Sequence, residues 1–223
     1  MNKTLFDGML PKPAVIVEAG LQAWEGGLWP AELDVAKSFS VQRLREFCAG
    51  RNALRKALDI LGRPPAAVLV GPGREPLLPE GVVGSLTHTK EYCAAAVMDV
   101  RHGLSIGLDA EAAGVLEPGV TALILNVAER VQVDRLRDEF GDQSWERLIF
   151  SAKESFQKAL YRCRPLLLDF LDIELAIHPS HGQFSLTASR HSDLQPLLQR
   201  SCRGHFRQMD TLVLTTFTLP LSF

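Results

Sequence analysis

The sequence lacks the features that would mark it for export, for a membrane or for metal–thiolate chemistry. Its four cysteines are far apart and form no C-x-x-C pair, so they indicate neither a zinc site nor a disulfide framework but reduced thiols in a cytoplasmic protein. No run of roughly eighteen apolar residues occurs, and the N-terminus has no uninterrupted apolar segment like that of a signal peptide. We therefore expect neither secretion nor a membrane span.

An excess of charge of one sign is also missing. The chain has 24 Lys and Arg residues against 26 Asp and Glu residues, so its net charge of −2 does not indicate nucleic acid or an anionic membrane as a partner. No internal repeat or low-complexity tract occurs. With 223 residues, 46% of them hydrophobic, the chain is long enough for one large or two small domains with a proper core. Any charged site must therefore be local.

An acidic pair at the end of a predicted strand is the first candidate site. Apolar and other residues alternate over residues 104–111, which places Asp109 and Glu111 on one side of the strand and Ile106 and Leu108 on the other. Two carboxylates in this arrangement suit a hard cation such as Mg²⁺. The alternative interpretation is a solvated strand end.

A predicted helix over residues 144–161 supplies a second acidic position. Its 3.6-residue period stacks Glu154 directly below Lys158 on one face. An exposed ion pair four residues apart would explain these two residues equally well. If the helix lies beside the acidic strand, however, Glu154 completes a set of three carboxylates with Asp109 and Glu111.

The longest predicted helix, over residues 41–61, carries two arginines in unusual positions. Gly62 and the prolines after it end this helix. Arg51 falls on the apolar stripe that contains Phe47, and Arg43 lies about 80 degrees away on the helix wheel, so both side chains can reach a shared anion. Arginines that snorkel to solvent are the alternative.

A phosphate-binding surface is predicted between these elements. A strand over residues 66–70 leads into a proline-rich loop over residues 71–81, which carries Arg74. Residues 84–88 (Gly-Ser-Leu-Thr-His) then offer hydroxyl groups and the His88 imidazole. The alternative for His88 is an ordinary surface histidine.

The rest of the chain predicts further strands and helices. Strands over residues 92–100 and 104–111 are expected to pair as a hairpin, and residues 121–140 to form one or two helices with Leu123, Val127 and Val131 on the apolar face. His178 and His181 are interpreted as loop histidines because no Cys or carboxylate stands at ligand spacing. The other predicted strands cover residues 13–19, 173–177, 183–188, 202–208 and 212–219.

Taken in order, these motifs resemble the 4′-phosphopantetheinyl transferases of the surfactin and enterobactin synthetase type. The resemblance implies an α+β fold of two pseudo-symmetric halves, residues 1–103 and 104–223, each a sheet with a long helix, and an active site in the cleft between them. The segments that carry it are R-x-x-E-F-x-x-G-R at 43–51, G-R-E-P at 73–76, G-S-L-T-H at 84–88, I-G-L-D-A-E at 106–111 and F-S-A-K-E-S-F-x-K at 150–158.

The resemblance also implies an activity and roles for the matching residues. The expected reaction is the Mg²⁺-dependent transfer of the 4′-phosphopantetheine arm of coenzyme A to a serine of an apo acyl or peptidyl carrier protein, which releases adenosine 3′,5′-bisphosphate. The expected metal ligands are Asp109, Glu111 and Glu154. Catalysis is assigned to Glu154 as the general base, with Lys158 and His88 beside it. The expected coenzyme A contacts are Arg43, Arg51, Arg74, Thr87, His88, Lys153 and Lys158.

Several points stay open at this level. The resemblance implies a monomer, and the thiols, the charge balance and the lack of a long apolar run indicate a cytoplasmic protein that binds neither nucleic acid nor membrane. The pathway stays open among fatty acids, polyketides, siderophores and peptides. Two other functions use the same residues: a Mg²⁺-dependent nucleotide pyrophosphate hydrolase, which needs no carrier, and a non-catalytic coenzyme A binding module, which needs no carboxylates. Glu129 lies where relatives also carry an acid, and no role is assigned to it.

Overall fold

Two antiparallel sheets, each packed against one long helix, organise the chain. The structure is a computed structural model that describes residues 3–199 and 202–221. The strand order is β1-β3-β2 in the three-stranded sheet and β4-β8-β7-β6-β5 in the five-stranded sheet. The elements are β1 (Val15–Glu18), α1 (Pro30–Ala36), α2 (Val41–Ile60), β2 (Val82–His88), β3 (Cys93–Asp99), β4 (Ser105–Ala112), α3 (Pro118–Ile124), α4 (Val127–Phe140), α5 (Trp145–Cys163), β5 (Ile173–His178), β6 (Gln183–Ser189), α6 (Gln195–Gln199), β7 (Arg203–Gln208) and β8 (Leu212–Leu219).

The two long helices lie where the sequence predicts them. Helix α2 begins where the Ser40 hydroxyl accepts a hydrogen bond from the backbone N–H of Arg43, and it ends before Gly62, whose φ is +77°. It packs on β1 and β3, whereas α5 packs on β4 and β8. The predicted α+β class is confirmed. None of the described helices is long and apolar enough to cross a membrane.

The predicted hairpin between residues 92–100 and 104–111 is wrong. Both strands form, but β3 lies between β1 and β2, while β4 pairs with β8. Because β3 already has a partner on each edge, it cannot add β4. A short 3-10 turn over Val100–His102, capped by the Asp99 carboxylate, leads the chain out of the first sheet instead.

Two other predictions are corrected. Residues 66–70 form no strand beyond an isolated bridge at Val70, because the N–H of Val68 is held by the Glu32 carboxylate at 2.8 Å. The apolar face predicted for residues 121–140 points to solvent, with Leu123, Val127 and Val131 being 67%, 78% and 56% exposed. The chain breaks at Asn126, which caps α4, and this break rotates the face that the second helix buries. The remaining strand predictions are confirmed to within two residues.

Side chains join the two sheets where no backbone ladder does. The hydroxyl of Ser85 on β2 accepts from the N–H of Leu108 on β4 at 3.1 Å, and that of Thr87 accepts from Ala110 at 2.8 Å. Beside this seam, Phe6 and other residues near the N-terminus pack against apolar side chains of both sheets. The seam fixes the end of β2 beside the acidic end of β4.

Candidate active site

A glycine allows α5 to lie directly on β4. A Cβ on Gly107 would stand 1.7 Å from the backbone oxygen of Ser155, so only glycine fits this contact. The close approach places Glu154 and Lys158 of the helix beside Asp109 of the strand. All three side chains line one cavity.

Asp109 is the most buried of the acidic candidates, with 3% of its surface exposed. Its Oδ1 accepts from Lys158 Nζ at 2.6 Å and from the Thr87 hydroxyl at 3.3 Å, and its Oδ2 accepts from the Ser151 hydroxyl at 2.8 Å. Donors from β2 and α5 therefore fix both oxygens of the carboxylate.

The other two acids have few fixed contacts. Glu111 approaches Arg147 at 3.6 Å, and no described residue donates a hydrogen bond to Glu154. Burial raises the pKa of Glu111 to about 7, with a further contribution from the Asp109 charge. Burial likewise raises the pKa of Glu154, and Asp109 adds to the rise while Lys158 opposes it. Three carboxylates that repel one another in a half-buried space favour the arrival of a cation.

The donor chemistry of this cluster fits Mg²⁺, since every candidate ligand is a carboxylate oxygen. In this conformation no group of three His, Cys, Asp or Glu side chains within residues 3–199 and 202–221 is placed to hold a metal ion. The Lys158 ammonium lies on Asp109 instead and also donates to the backbone oxygen of Leu108 at 3.2 Å. Burial works against its charge, yet Asp109 and the two glutamates raise the pKa of Lys158. Lys158 is therefore the cation that is paired with Asp109.

A second polar cluster joins α2 to the end of β2. Arg43 donates to Nε2 of His88 at 2.8 Å and to Glu46 at 3.3 Å, and Nδ1 of His88 lies 3.5 Å from the same Glu46 oxygen. Since a guanidinium only donates, His88 accepts at Nε2 and is neutral, with its proton on Nδ1 facing Glu46. Burial lowers the pKa of His88, and Arg43 lowers it further while Glu46 opposes.

Arg51 is buried in the wall of the cavity, with 3% of its surface exposed. Its guanidinium lies 4.1 Å from the centre of the Phe47 ring, and its Nε has no hydrogen-bond partner among the described residues. Burial lowers the pKa of Arg51 to about 10. A buried cation with an unused donor is suited to an anionic ligand.

The loop with Arg74 lines the cavity beside the C-terminal end of α5. Arg74 is exposed and has a φ of +68°, and its N–H donates to the backbone oxygen of Gly71 at 2.9 Å. A Cβ on Gly73 would stand 2.2 Å from Tyr161, so the loop lies directly on that ring. The cavity has a volume of about 950 Å³. Residues of both sheets and both long helices line it, and they include all ten sequence-predicted site residues.

Comparisons with known proteins agree with this arrangement. The family model of the 4′-phosphopantetheinyl transferase N-terminal domain matches residues 30–98, and that of the 4′-phosphopantetheinyl transferase superfamily matches residues 105–211. This chain belongs to the 4′-phosphopantetheinyl transferase superfamily. The resemblance found in the sequence motifs is thereby confirmed.

Three curated members of the superfamily are similar to this chain. The 4′-phosphopantetheinyl transferase Svp of Streptomyces mobaraensis is 41% identical over 158 residues, which is 71% of this chain and 64% of Svp. PptT of Mycobacterium tuberculosis is 38% identical over 146 residues, 66% of this chain and 63% of PptT. Npt of Nocardia iowensis is 34% identical over 188 residues, 80% of this chain and 83% of Npt. The chain thus spans somewhat under two thirds of the length of Svp and PptT.

One residue of the phosphopantetheinyl transferase motif has all of its hydrogen-bond donors used inside the protein. Lys153 is expected to contact coenzyme A, but its ammonium is buried and donates to Glu129 at 2.7 Å and to the backbone oxygens of Ile124 and Phe170 at 2.9 and 2.7 Å. Its three N–H donors are thus satisfied inside the protein. Lys153 ties α5 to the end of α3 and to the cavity wall at Phe170, and Glu129 is its counter-ion.

The sequence did not predict several residues of the candidate site. Glu46 has no predicted role, although its position three residues after Arg43 indicates a shared helix face. Ser151, which donates to Asp109, lies one turn before Glu154. Tyr161 lies one turn after Lys158 and signals its place in the same way. The contact of Arg147 with Glu111 could not be predicted from the sequence, because the two residues lie far apart in the chain, on α5 and β4.

Proposed function

We propose that this chain transfers the 4′-phosphopantetheine arm of coenzyme A to a serine hydroxyl of an apo acyl or peptidyl carrier protein and releases adenosine 3′,5′-bisphosphate. One observation carries the proposal. A cavity in a member of this superfamily brings the acids Asp109, Glu111 and Glu154 together with the cation Lys158 and with His88 from the other sheet. Acids and cations side by side suit a diphosphate that is cleaved while a hydroxyl loses its proton.

The carboxylates are the proposed metal site. Asp109, Glu111 and Glu154 would hold Mg²⁺, which when bound supplies charge neutralisation to the diphosphate oxygens. Lys153 is left out of the proposed coenzyme A site because its donors are satisfied by Glu129 and two backbone oxygens.

The cations are the proposed coenzyme A contacts. Lys158 and His88 lie at the junction of the two sheets and would bind the diphosphate, and Thr87, whose hydroxyl already donates to Asp109, would lie beside it. The proposed contacts of the 3′-phosphate and nucleotide end are the arginines of α2 and of the loop before β2. They are Arg43, Arg51 and Arg74.

Glu154 is the proposed general base. It has no hydrogen-bond donor among the described residues, and burial raises its pKa, so it is free to take a proton. The serine oxygen forms a bond to the phosphorus that carries pantetheine. The bond from that phosphorus to the bridging oxygen breaks, adenosine 3′,5′-bisphosphate leaves with the electron pair, and the serine proton passes to Glu154.

The test is the intact mass of an apo carrier protein after incubation with this protein, coenzyme A and Mg²⁺. We expect the carrier to gain one phosphopantetheine. A chelator should abolish the gain, and Asp109→Ala should slow it by about a thousandfold, since one charge pair at 4 Å contributes about 4 kcal/mol at an effective dielectric of 20. Asp134→Ala, which removes an exposed carboxylate of α4, is the matched control and should leave the rate unchanged.

Two outcomes would contradict the proposal. Breakdown of coenzyme A without any gain on several carriers would favour the hydrolase. Tight binding of intact coenzyme A, unaffected by Asp109→Ala and without transfer, would favour the binding module. The division at residues 103 and 104 and the monomeric, cytoplasmic state stay predictions that limited proteolysis, sedimentation and cell fractionation can test.

A further inference from the structure

Lys158 occupies the side of Asp109 that faces the cavity. Its Nζ is 2.6 Å from Oδ1 of Asp109, which also accepts from Thr87, so both lone pairs of that oxygen have protein donors. Mg²⁺ requires its oxygen ligands at about 2.0–2.1 Å in near-octahedral geometry. While Lys158 and Thr87 both donate to Oδ1, that oxygen has no lone pair left for a divalent cation.

Of the three side chains that donate to Asp109, Lys158 is the one that can move away. The hydroxyl of Thr87 also accepts from Ala110 in the seam, and Ser151 is fully buried on α5, so both donors are fixed by the fold. The Lys158 side chain is 31% exposed and has a flexible four-carbon stem. It lines the same cavity as His88 and Arg43, where an anionic ligand would offer its ammonium a second partner.

We propose that Lys158 closes the metal site in the ligand-free protein, and that the diphosphate of coenzyme A opens it by drawing the ammonium away from Asp109. This inference rests on the proposed function and deepens it. Metal and coenzyme A then bind cooperatively, with Lys158 as the coupling residue. Because such coupling is reciprocal, the metal strengthens coenzyme A binding by the same factor by which coenzyme A strengthens metal binding.

The test is Mn²⁺ binding, measured from the electron paramagnetic resonance signal of the free hydrated ion, with and without coenzyme A and without any carrier. In the wild type we expect coenzyme A to tighten Mn²⁺ binding by about tenfold or more. Without coenzyme A, Lys158→Met should bind Mn²⁺ about tenfold more tightly than the wild type. The gain from coenzyme A should be smaller in Lys158→Met, because no ammonium remains to be moved.

A matched variant distinguishes the contact between Lys158 and Asp109 from the general effect of removing a positive charge from the cavity. Arg43→Met removes the same charge from the same cavity, but Arg43 binds Glu46 and His88 rather than Asp109. It should therefore leave Mn²⁺ affinity without coenzyme A nearly unchanged. Mn²⁺ titrated into coenzyme A alone corrects for binding in solution, and thermal unfolding verifies that each variant folds.

Several results of the Mn²⁺ binding experiment would overturn the inference. It fails if Lys158→Met and the wild type bind Mn²⁺ equally without coenzyme A, if coenzyme A gives both the same gain, or if Arg43→Met equals Lys158→Met. If the lysine variant does not fold, equal Mn²⁺ affinity of the wild type with and without coenzyme A decides against it. Any of these results leaves transfer to a carrier intact, whereas Mn²⁺ coupling without transfer would overturn only the proposed function.

Discussion

Two lysines of the same motif lie on different faces of α5 and therefore have different surroundings. Lys153 and Lys158 lie about 140 degrees apart on the helix wheel. The Lys153 side chain is 1% exposed and paired with the buried Glu129, whereas the Lys158 side chain is 31% exposed to solvent and lines the cavity. The motif that contains both residues therefore combines a structural cation with a proposed functional one.

The buried pair of Lys153 and Glu129 gives the first prediction. Glu129→Ala leaves an ammonium without a counter-ion in the core and should lower the free energy of unfolding by about 3–5 kcal/mol, measured by urea denaturation. Glu139→Ala removes an exposed acid from the same helix and should change it by less than about 0.5 kcal/mol. A loss below about 1 kcal/mol in Glu129→Ala would show that water reaches Lys153.

Glu111 gives a prediction about pH. Because its pKa is raised to about 7 from 4.5, the folded protein holds this proton where the unfolded chain has lost it. The stabilising contribution is therefore present at acid pH and is lost as the pH rises through about 7. If Glu111 is a metal ligand, Mg²⁺ must expel the same proton, so binding should weaken as the pH falls from about 8 to 6.

Proton release can be measured directly. Titration calorimetry of Mg²⁺ near pH 7, in two buffers of different ionisation enthalpy, should give different apparent heats. Glu111→Gln should make that difference smaller, because one of the two glutamates with a raised pKa is then gone. Equal heats for the wild type in both buffers would contradict the assignment of Glu111 as a ligand that titrates.

At the scale of elements, the local signals predicted α2 and α5 but not how the strands pair. Helix periodicity and caps depend on neighbours in sequence, so the predicted bounds of both helices are within two residues of those observed. The partner of β4 is β8, which follows about a hundred residues later, and a short connection from β3 gives no warning of this. The face of α4 was wrong because a single cap at Asn126 resets its rotation.

Gly107 gives the prediction at this scale. In Gly107→Ala the new methyl group meets the backbone of Ser155, so α5 must move away from β4. We expect a loss of about 1–3 kcal/mol in the free energy of unfolding and, since Glu154 and Lys158 move with the helix, roughly a hundredfold slower transfer.

Another glycine provides the control. Gly119 lies in α3, and a Cβ there would meet no atom within 4 Å. Gly119→Ala should therefore leave transfer unchanged and raise the free energy of unfolding by up to about 1 kcal/mol through helix propensity. Wild-type transfer by Gly107→Ala would show that the strand contact does not position the helix.

At the scale of the whole molecule, the sequence predicted the charges of the candidate site but not the way in which it is assembled. Types and spacing of residues identified the acids of β4 and α5 and the arginines of α2. Their convergence depends on the seam between β2 and β4, where hydroxyls replace a backbone ladder. Side-chain to backbone contacts between distant segments leave no periodic trace, and the role of Ser85 could not be predicted for that reason.

The seam gives the last prediction. Ser85→Ala leaves the buried N–H of Leu108 without an acceptor, which should cost about 1–3 kcal/mol of unfolding free energy. Because the loss is local, amide hydrogen exchange at Leu108 should accelerate more than exchange in the centre of α5. Ser189→Ala is the matched control, since among the described residues its hydroxyl accepts from the N–H of His191 two positions away, where water can take its place. Uniform acceleration throughout the protein would show that the sheets separate only on global unfolding, and unchanged exchange at Leu108 would show that the hydroxyl does not hold them together.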